Sequence, residues 1–242
     1  MGAALGWGSL SAFSLVLGAL LGLAREWPTR LVGLVLAFGA GALISAVSFE
    51  LAGEAFRIGD SGWTAAGLAA GALVYYLLDG VVGSIGSAGR GRAGRASGSE
   101  AGTALALGAF LDGIPEQMVL GIGLAAGEGV GVGLLVAIFV SNLPEAIGSA
   151  SQMREAGRDD RTILRLWVAV AVVCALASVV GYALADTASN NVKAMIDGFA
   201  AGALLVMLVD SMIPDATHNL GRTAGLVTTL GFTLSAALSA VG

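Results

Sequence analysis

Charge is what this sequence has least of. Only 12% of its 242 residues are Asp, Glu, Lys or Arg, against roughly 25% in a soluble domain. With 56% hydrophobic residues, the chain cannot cover a water-facing surface with polar groups, so lipid must be its solvent. A single cysteine, Cys174, excludes disulfides within the chain and a cysteine-built zinc site. Its neighbours Val172, Val173, Ala175 and Leu176 make it read as inert helix packing. No glycine-rich phosphate loop is present, which argues against an ATP-driven pump. Aromatics are few, at 6%, and do not gather near the acids, so a pocket for an organic solute is poorly supported. No Lys or Arg precedes the apolar run Leu5 to Ala24, as a secretory signal would need, and the run reads as a retained first span.

Glycine, by contrast, is abundant at 38 residues, as suits membrane helices that approach closely. A hydrocarbon core of about 30 Å takes roughly 20 apolar residues per helix. Spans are predicted at 5–24, 31–56, 62–84, 101–126, 129–151, 163–186, 194–217 and 221–241. They form a single transmembrane domain over 1–242, with a Gly/Ser/Arg-rich flexible cytoplasmic loop at about 86–100. The loops after spans 1, 3, 5 and 7, with their flanks, hold Arg25, Arg30, Arg90, Arg92, Arg95, Arg154, Arg158, Arg161, Arg165 and Arg222. The other three loops hold only Arg57 and Lys193. By the positive-inside rule this alternation fits eight spans in a cell (inner) membrane, with both termini extracytoplasmic.

Spans 2 and 7 echo each other. Phe38-Gly39-Ala40-Gly41-Ala42-Leu43 resembles Phe199-Ala200-Ala201-Gly202-Ala203-Leu204, and the same offset places Glu54 on Asp215. The two spans are predicted to run in opposite directions, and inverted repeats of this kind are a transporter signature. Gly67-x-x-x-Gly71 in span 3 is a candidate packing face, within one subunit or between two.

Eight acids fall inside the predicted spans: Glu50, Glu54, Asp79, Asp112, Glu116, Glu145, Asp210 and Asp215. Asp186 and Asp197, at span ends, are expected to reach water. No span holds a central Lys or Arg. An ionised carboxylate in hydrocarbon costs about 2.5–3.5 kcal/mol even on a lenient scale, so the acids require protons, water or a bound cation. Three of the four prolines directly precede an acid: Pro115-Glu116, Pro144-Glu145 and Pro214-Asp215. A proline within a helix leaves the carbonyl four residues back without its donor. Pro115 would free the carbonyl of Leu111, and Pro144 that of Val140. Freed carbonyls beside carboxylates make an oxygen-rich cation site. Asp112 and Glu116 share a helix face, as do Ser141 and Glu145. Spans 4 and 5, joined by a short loop, should bring the two elements together near mid-membrane. Glu50 and Glu54 lie toward the outer end of span 2, and Asp79, Asp210, Asp215 and His218 toward the inner ends of spans 3 and 7. These are candidate ligands along the outer and inner paths; a plain solvated helix end is the competing reading.

The proline–glutamate pairs in consecutive helices, within eight spans, resemble the ZIP (Zrt/Irt-like) divalent-metal transporters. Helix 4 of that family carries His-Asn-x-Pro-Glu-Gly; here Asp112 stands for the histidine, Gly113 for the asparagine, and Glu116 matches the glutamate. Ser141 and Asn142 take the polar positions of the helix 5 motif, and Glu145 its glutamate. Pro214-Asp215-Ala216 with His218 is similar to the family's Pro-Glu-Ala-His. Gln117 and Ala146 replace the glycines after both glutamates. The family's histidine-rich loop is absent, and span 6 lacks an interior acid where many members place another ligand. The resemblance implies an all-α bundle of eight transmembrane helices in a 3+2+3 arrangement, with helices 1–3 and 6–8 as an inverted repeat. It implies import by an elevator, with helices 1, 4, 5 and 6 moving against a scaffold of 2, 3, 7 and 8 in a homodimer.

The expectation is therefore a secondary transporter of divalent transition metals, zinc first, with manganese or iron open because Asp112 hardens the site, and cadmium a further possible substrate. The metal is substrate, no prosthetic group is expected, lipid is a partner and nucleic acid is not. A proton-coupled organic solute carrier is the alternative. An intramembrane aspartyl protease built on Asp79 and Asp112 leaves the proline–glutamate pairs unexplained.

Overall fold

A computed structural model describes residues 1–88, 113–125 and 132–240. The described chain is helical throughout, with short breaks and no strand. Its helices are α1 (Gly2–Ala24), α2 (Thr29–Ala46), α3 (Gly53–Ile58), α4 (Ser61–Ala88), α5 (residues 113–125), α6 (Val132–Glu155), α7 (Asp160–Thr187), α8 (Asn190–Met207), α9 (Ile213–Leu220) and α10 (Thr223–Ser239). A π-helical turn, Val47–Ala52, fuses α2 to α3, and a second, Leu208–Met212, fuses α8 to α9. Among the described residues, six segments are long and apolar enough to cross a bilayer, the two fused ones among them. The apolar α10, at 17 residues, is shorter than the roughly 20 that a perpendicular span takes, and α5 is described for 113–125 alone. Helix α4 runs on through Ala88, into the stretch expected as loop, and the remainder of that stretch lies outside the described residues.

Helix pairing falls into two bodies. In one, α4 packs along α8 and α10 along α2, with α3 against α8 and α9 against α2. In the other, α1 packs on both α6 and α7. Glycine explains the closeness of each contact. A methyl on Gly71 of α4 would stand 1.8 Å from the Phe199 carbonyl oxygen, and one on Gly202 of α8 would stand 2.1 Å from that of Leu68. Gly41 and Gly231 do the same between α2 and α10, and Gly121 and Gly181 between α5 and α7. The glycine pair of span 3 therefore works inside one chain. Helix α6 belongs to both bodies. Its Leu134, Ala137 and Ile138 join the core of α2, α8 and α10, whereas Ala146, Ala150 and Met153 join that of α1 and α7.

The echo of spans 2 and 7 has a structural counterpart. The two spans run antiparallel: Gly59 meets Ala194 and Asn190 at one end, and Gly33 meets Asn219 and Leu220 at the other. The offset that aligns Phe38 with Phe199 also aligns Val47 with Leu208, where the two π turns begin, and Gly53 with Pro214, just after them. Both positions hold residues that weaken an α-helix, which accounts for a register change at each. The pairing of α4 with α8 and of α10 with α2 is likewise what exchanging the two repeats produces.

A valine at Gly71 or Gly41 is expected to cost about 1–3 kcal/mol, read as a lower thermal unfolding midpoint in detergent. Valine at Gly225, which has open space around it, should leave the midpoint unchanged. Equal midpoints for all three would contradict the glycine-contact account.

Candidate metal site

The two proline–glutamate elements do meet. Pro144 lies inside α6, which continues past it without ending. The Ser141 hydroxyl lies 3.5 Å from Glu116 Oε1 of α5 and 3.0 Å from the Ile138 carbonyl oxygen. Its one proton can serve only one acceptor at a time. Glu116, Gln117, Ser141 and Asn142 are all at most 1% exposed, and Glu145, one turn beyond Ser141, is half-buried. The backbone of α2 comes in against them because Gly39 has no side chain; a methyl there would stand 3.2 Å from Ser141 Cα. Met212, from the second π turn, reaches the same glycine.

The donors at this point are oxygen-rich: two carboxylates, a hydroxyl and two amides. The amide nitrogen of Asn142 and both amide atoms of Gln117 are buried without a hydrogen-bond partner among the described residues. No lysine or arginine is buried among the described residues. The ion pairs Arg57–Glu54 and Arg154–Asp160 involve exposed arginines away from this point. Asp112, one turn before Glu116, lies outside the described residues, as does the Leu111 carbonyl. Among the described residues no three His, Cys, Asp or Glu side chains stand close enough to hold a metal ion. Two carboxylates with neutral oxygen donors are a set whose chemistry suits a hard or borderline divalent cation.

A family model described as ZIP zinc transporter matches residues 91–241, which contain both proline–glutamate elements. The chain belongs to the ZIP zinc transporter family. A protein of Arabidopsis thaliana whose name reads "Putative zinc transporter" is 26% identical over 217 residues, which is 86% of this chain. The chain spans about a third of that relative's length, the match covering 34% of it. ZIP proteins are transporters and not enzymes, which removes the protease reading.

The outlying acids of this ZIP chain fare differently from one another. Glu50, in the first π turn, accepts a hydrogen bond from the Ser239 hydroxyl of α10 and another from the Leu134 backbone N–H of α6. Its carboxylate thus caps the first turn of α6 from a neighbouring helix, where the helix dipole favours negative charge. Gly133 makes room for it, since a methyl there would stand 2.7 Å from Glu50 Oε1. Glu54 is gripped by Arg57, with both guanidinium contacts at 2.6 Å. Asp79, Asp210, Asp215 and His218 are exposed.

Asp197 corrects the expectation that it reaches water: it is 5% exposed, within α8. Sequence reasoning passed over Gln117, noted only as a replaced glycine. A long amide directly after Pro115-Glu116 was the available signal. Ser239 gave none, because its role depends on where α10 ends.

Replacing Ser239 with Ala takes a hydroxyl from a part-buried carboxylate, with an expected loss of about 1–3 kcal/mol. Arg57→Gln, at an exposed guanidinium, should cost about 0–1 kcal/mol. Thermal unfolding of the two variants checks the order, and a reversed order contradicts the capping role of Glu50.

Proposed function

We propose that the chain is a secondary transporter that carries divalent transition-metal cations across the cell (inner) membrane. The observation that carries this reading is the meeting of Glu116 and Ser141 in a buried place, beside Asn142 and Glu145, with no Lys or Arg buried among the described residues. A buried carboxylate is costly unless a proton, water or a cation meets it, and ZIP membership supports a metal ion in that role. Asp112, Glu116, Ser141, Asn142 and Glu145 bind the ion. Zinc is the first candidate, with manganese, iron and cadmium as further ones, because carboxylate and amide oxygen discriminate weakly among them.

The ion comes in past Glu50 and Glu54 and leaves past Asp210, Asp79, Asp215 and His218. Glu50 must release Ser239 to meet it, and Glu54 must release Arg57. Import follows an elevator motion of α1, α5, α6 and α7 against α2–α4 and α8–α10 in a homodimer. Eight spans then place both termini outside the cytoplasm. The packing of α1 on α6 and α7, apart from the pairs α4–α8 and α2–α10, supports this division, with α6 seated in both parts. Family membership favours a metal cargo over a proton-coupled organic solute.

Proteoliposome uptake of zinc, manganese, iron and cadmium tests the reading. Wild type is expected to take up at least one, and Glu116→Ala and Glu145→Ala each to abolish uptake. Unchanged uptake in both variants would sink the assignment of the site, and no uptake of any metal by wild type would sink the function.

A further inference from the structure

The first four backbone N–H groups of a helix have no acceptor within it. In α6 one of these, at Leu134, finds its acceptor on another span: the Glu50 carboxylate of the first π turn. That turn is itself held to α10. Glu50 also accepts the Ser239 hydroxyl, and the ring of Phe49 packs against that of Phe232 with centroids 5.9 Å apart. Gly133 keeps the junction narrow, since a methyl there would stand 2.7 Å from Glu50 Oε1 and 3.2 Å from the Ser235 carbonyl oxygen. One carboxylate thus ties the start of α6, the helix shared by the two bodies, to α2 and α10. Glu50 is only half-buried, so an ion can reach it.

From this junction we infer that Glu50 is a latch that the cargo opens. A divalent cation bound at its carboxylate takes the place of the Leu134 N–H and the Ser239 O–H, and the first turn of α6 is freed to move. The inference rests on the metal-transport reading and adds to it a link between capture of the ion and motion. No proton or electron changes hands; two hydrogen bonds give way to metal–oxygen bonds. Electrostatics sets the direction. A helix N-terminus carries about half a positive charge, so the free carboxylate attracts the start of α6. With a dication on that carboxylate the local charge changes sign, and the same helix end is repelled. An empty Glu50 therefore holds α6 and an occupied one releases it.

Hydrogen–deuterium exchange of the purified full chain, read at the Leu134 amide with zinc alone or with a chelator, tests the latch. Without metal, Glu50→Ala is expected to exchange about tenfold faster than wild type at this amide, as loss of a hydrogen bond to a charged group implies. Zinc should speed the wild-type amide by a similar factor, and should do so equally in Glu116→Ala, where the central site is impaired. Glu50→Gln keeps an oxygen acceptor without the charge, so it should still protect the amide and lose the response to zinc. Equal rates in metal-free wild type and Glu50→Ala would overturn the latch, as would a wild-type amide indifferent to zinc. A zinc response that vanishes in Glu116→Ala would place the trigger at the central site and overturn it too. Zinc-driven release without uptake of any divalent ion into proteoliposomes would leave the latch standing and remove the transport reading instead. If Glu50→Ala does not fold, the zinc responses of wild type and Glu50→Gln decide.

Discussion

Backbone-to-backbone contact at glycine is the constraint from which the rest of this bundle follows. In lipid, helices gain nothing from hiding apolar side chains, so they associate through close packing. Here carbonyls lie where side chains would otherwise be, at Gly41, Gly71, Gly121, Gly181, Gly202 and Gly231. Those contacts fix which helices pair, and the pairing fixes the two bodies. Gly39 extends the same device to the site, because it lets the backbone of α2 approach Ser141 without a side chain between them.

The acids respond to the bundle in three physical ways. Glu50 is stabilised by a helix terminus and a hydroxyl, Glu54 by an arginine on its own turn, and Glu116 lies beside neutral oxygen donors. The first two arrangements are complete in themselves. Beside Glu116 the amide of Gln117 has no hydrogen-bond partner among the described residues, which supports placing the proposed metal site there.

Much of this was legible in sequence because it depends on spacing along one helix. Pro144 and Glu145 announce themselves, Ser141 and Glu145 share a face by their separation, and Gly67 with Gly71 marks a packing stripe. The offset between Phe38 and Phe199 foretold two related spans, and the paired π turns obey it. The turns themselves were not read from sequence, although Gly53 and Pro214, related by the same offset, mark where each helix is weakened. The capping contacts of Glu50 were not legible, because Ser239 and Leu134, far away in the chain, carry no sign of ending beside it. Asp197 looked solvated for the same reason: its burial depends on neighbours brought in from elsewhere. The grip of Arg57 on Glu54 lies within a single turn and was open to inspection.

Helix α6 acts as a mechanical link. Its first half is seated in one body, its second half in the other, and Pro144 lies between them. Displacing the bodies must either shear Leu134, Ala137 and Ile138 from their seats or flex the helix at the proline, its most compliant point. Glu145 is the residue next to that pivot. Large-scale position and the geometry around Glu145 are thereby geared together, and neither changes without a torque on the other.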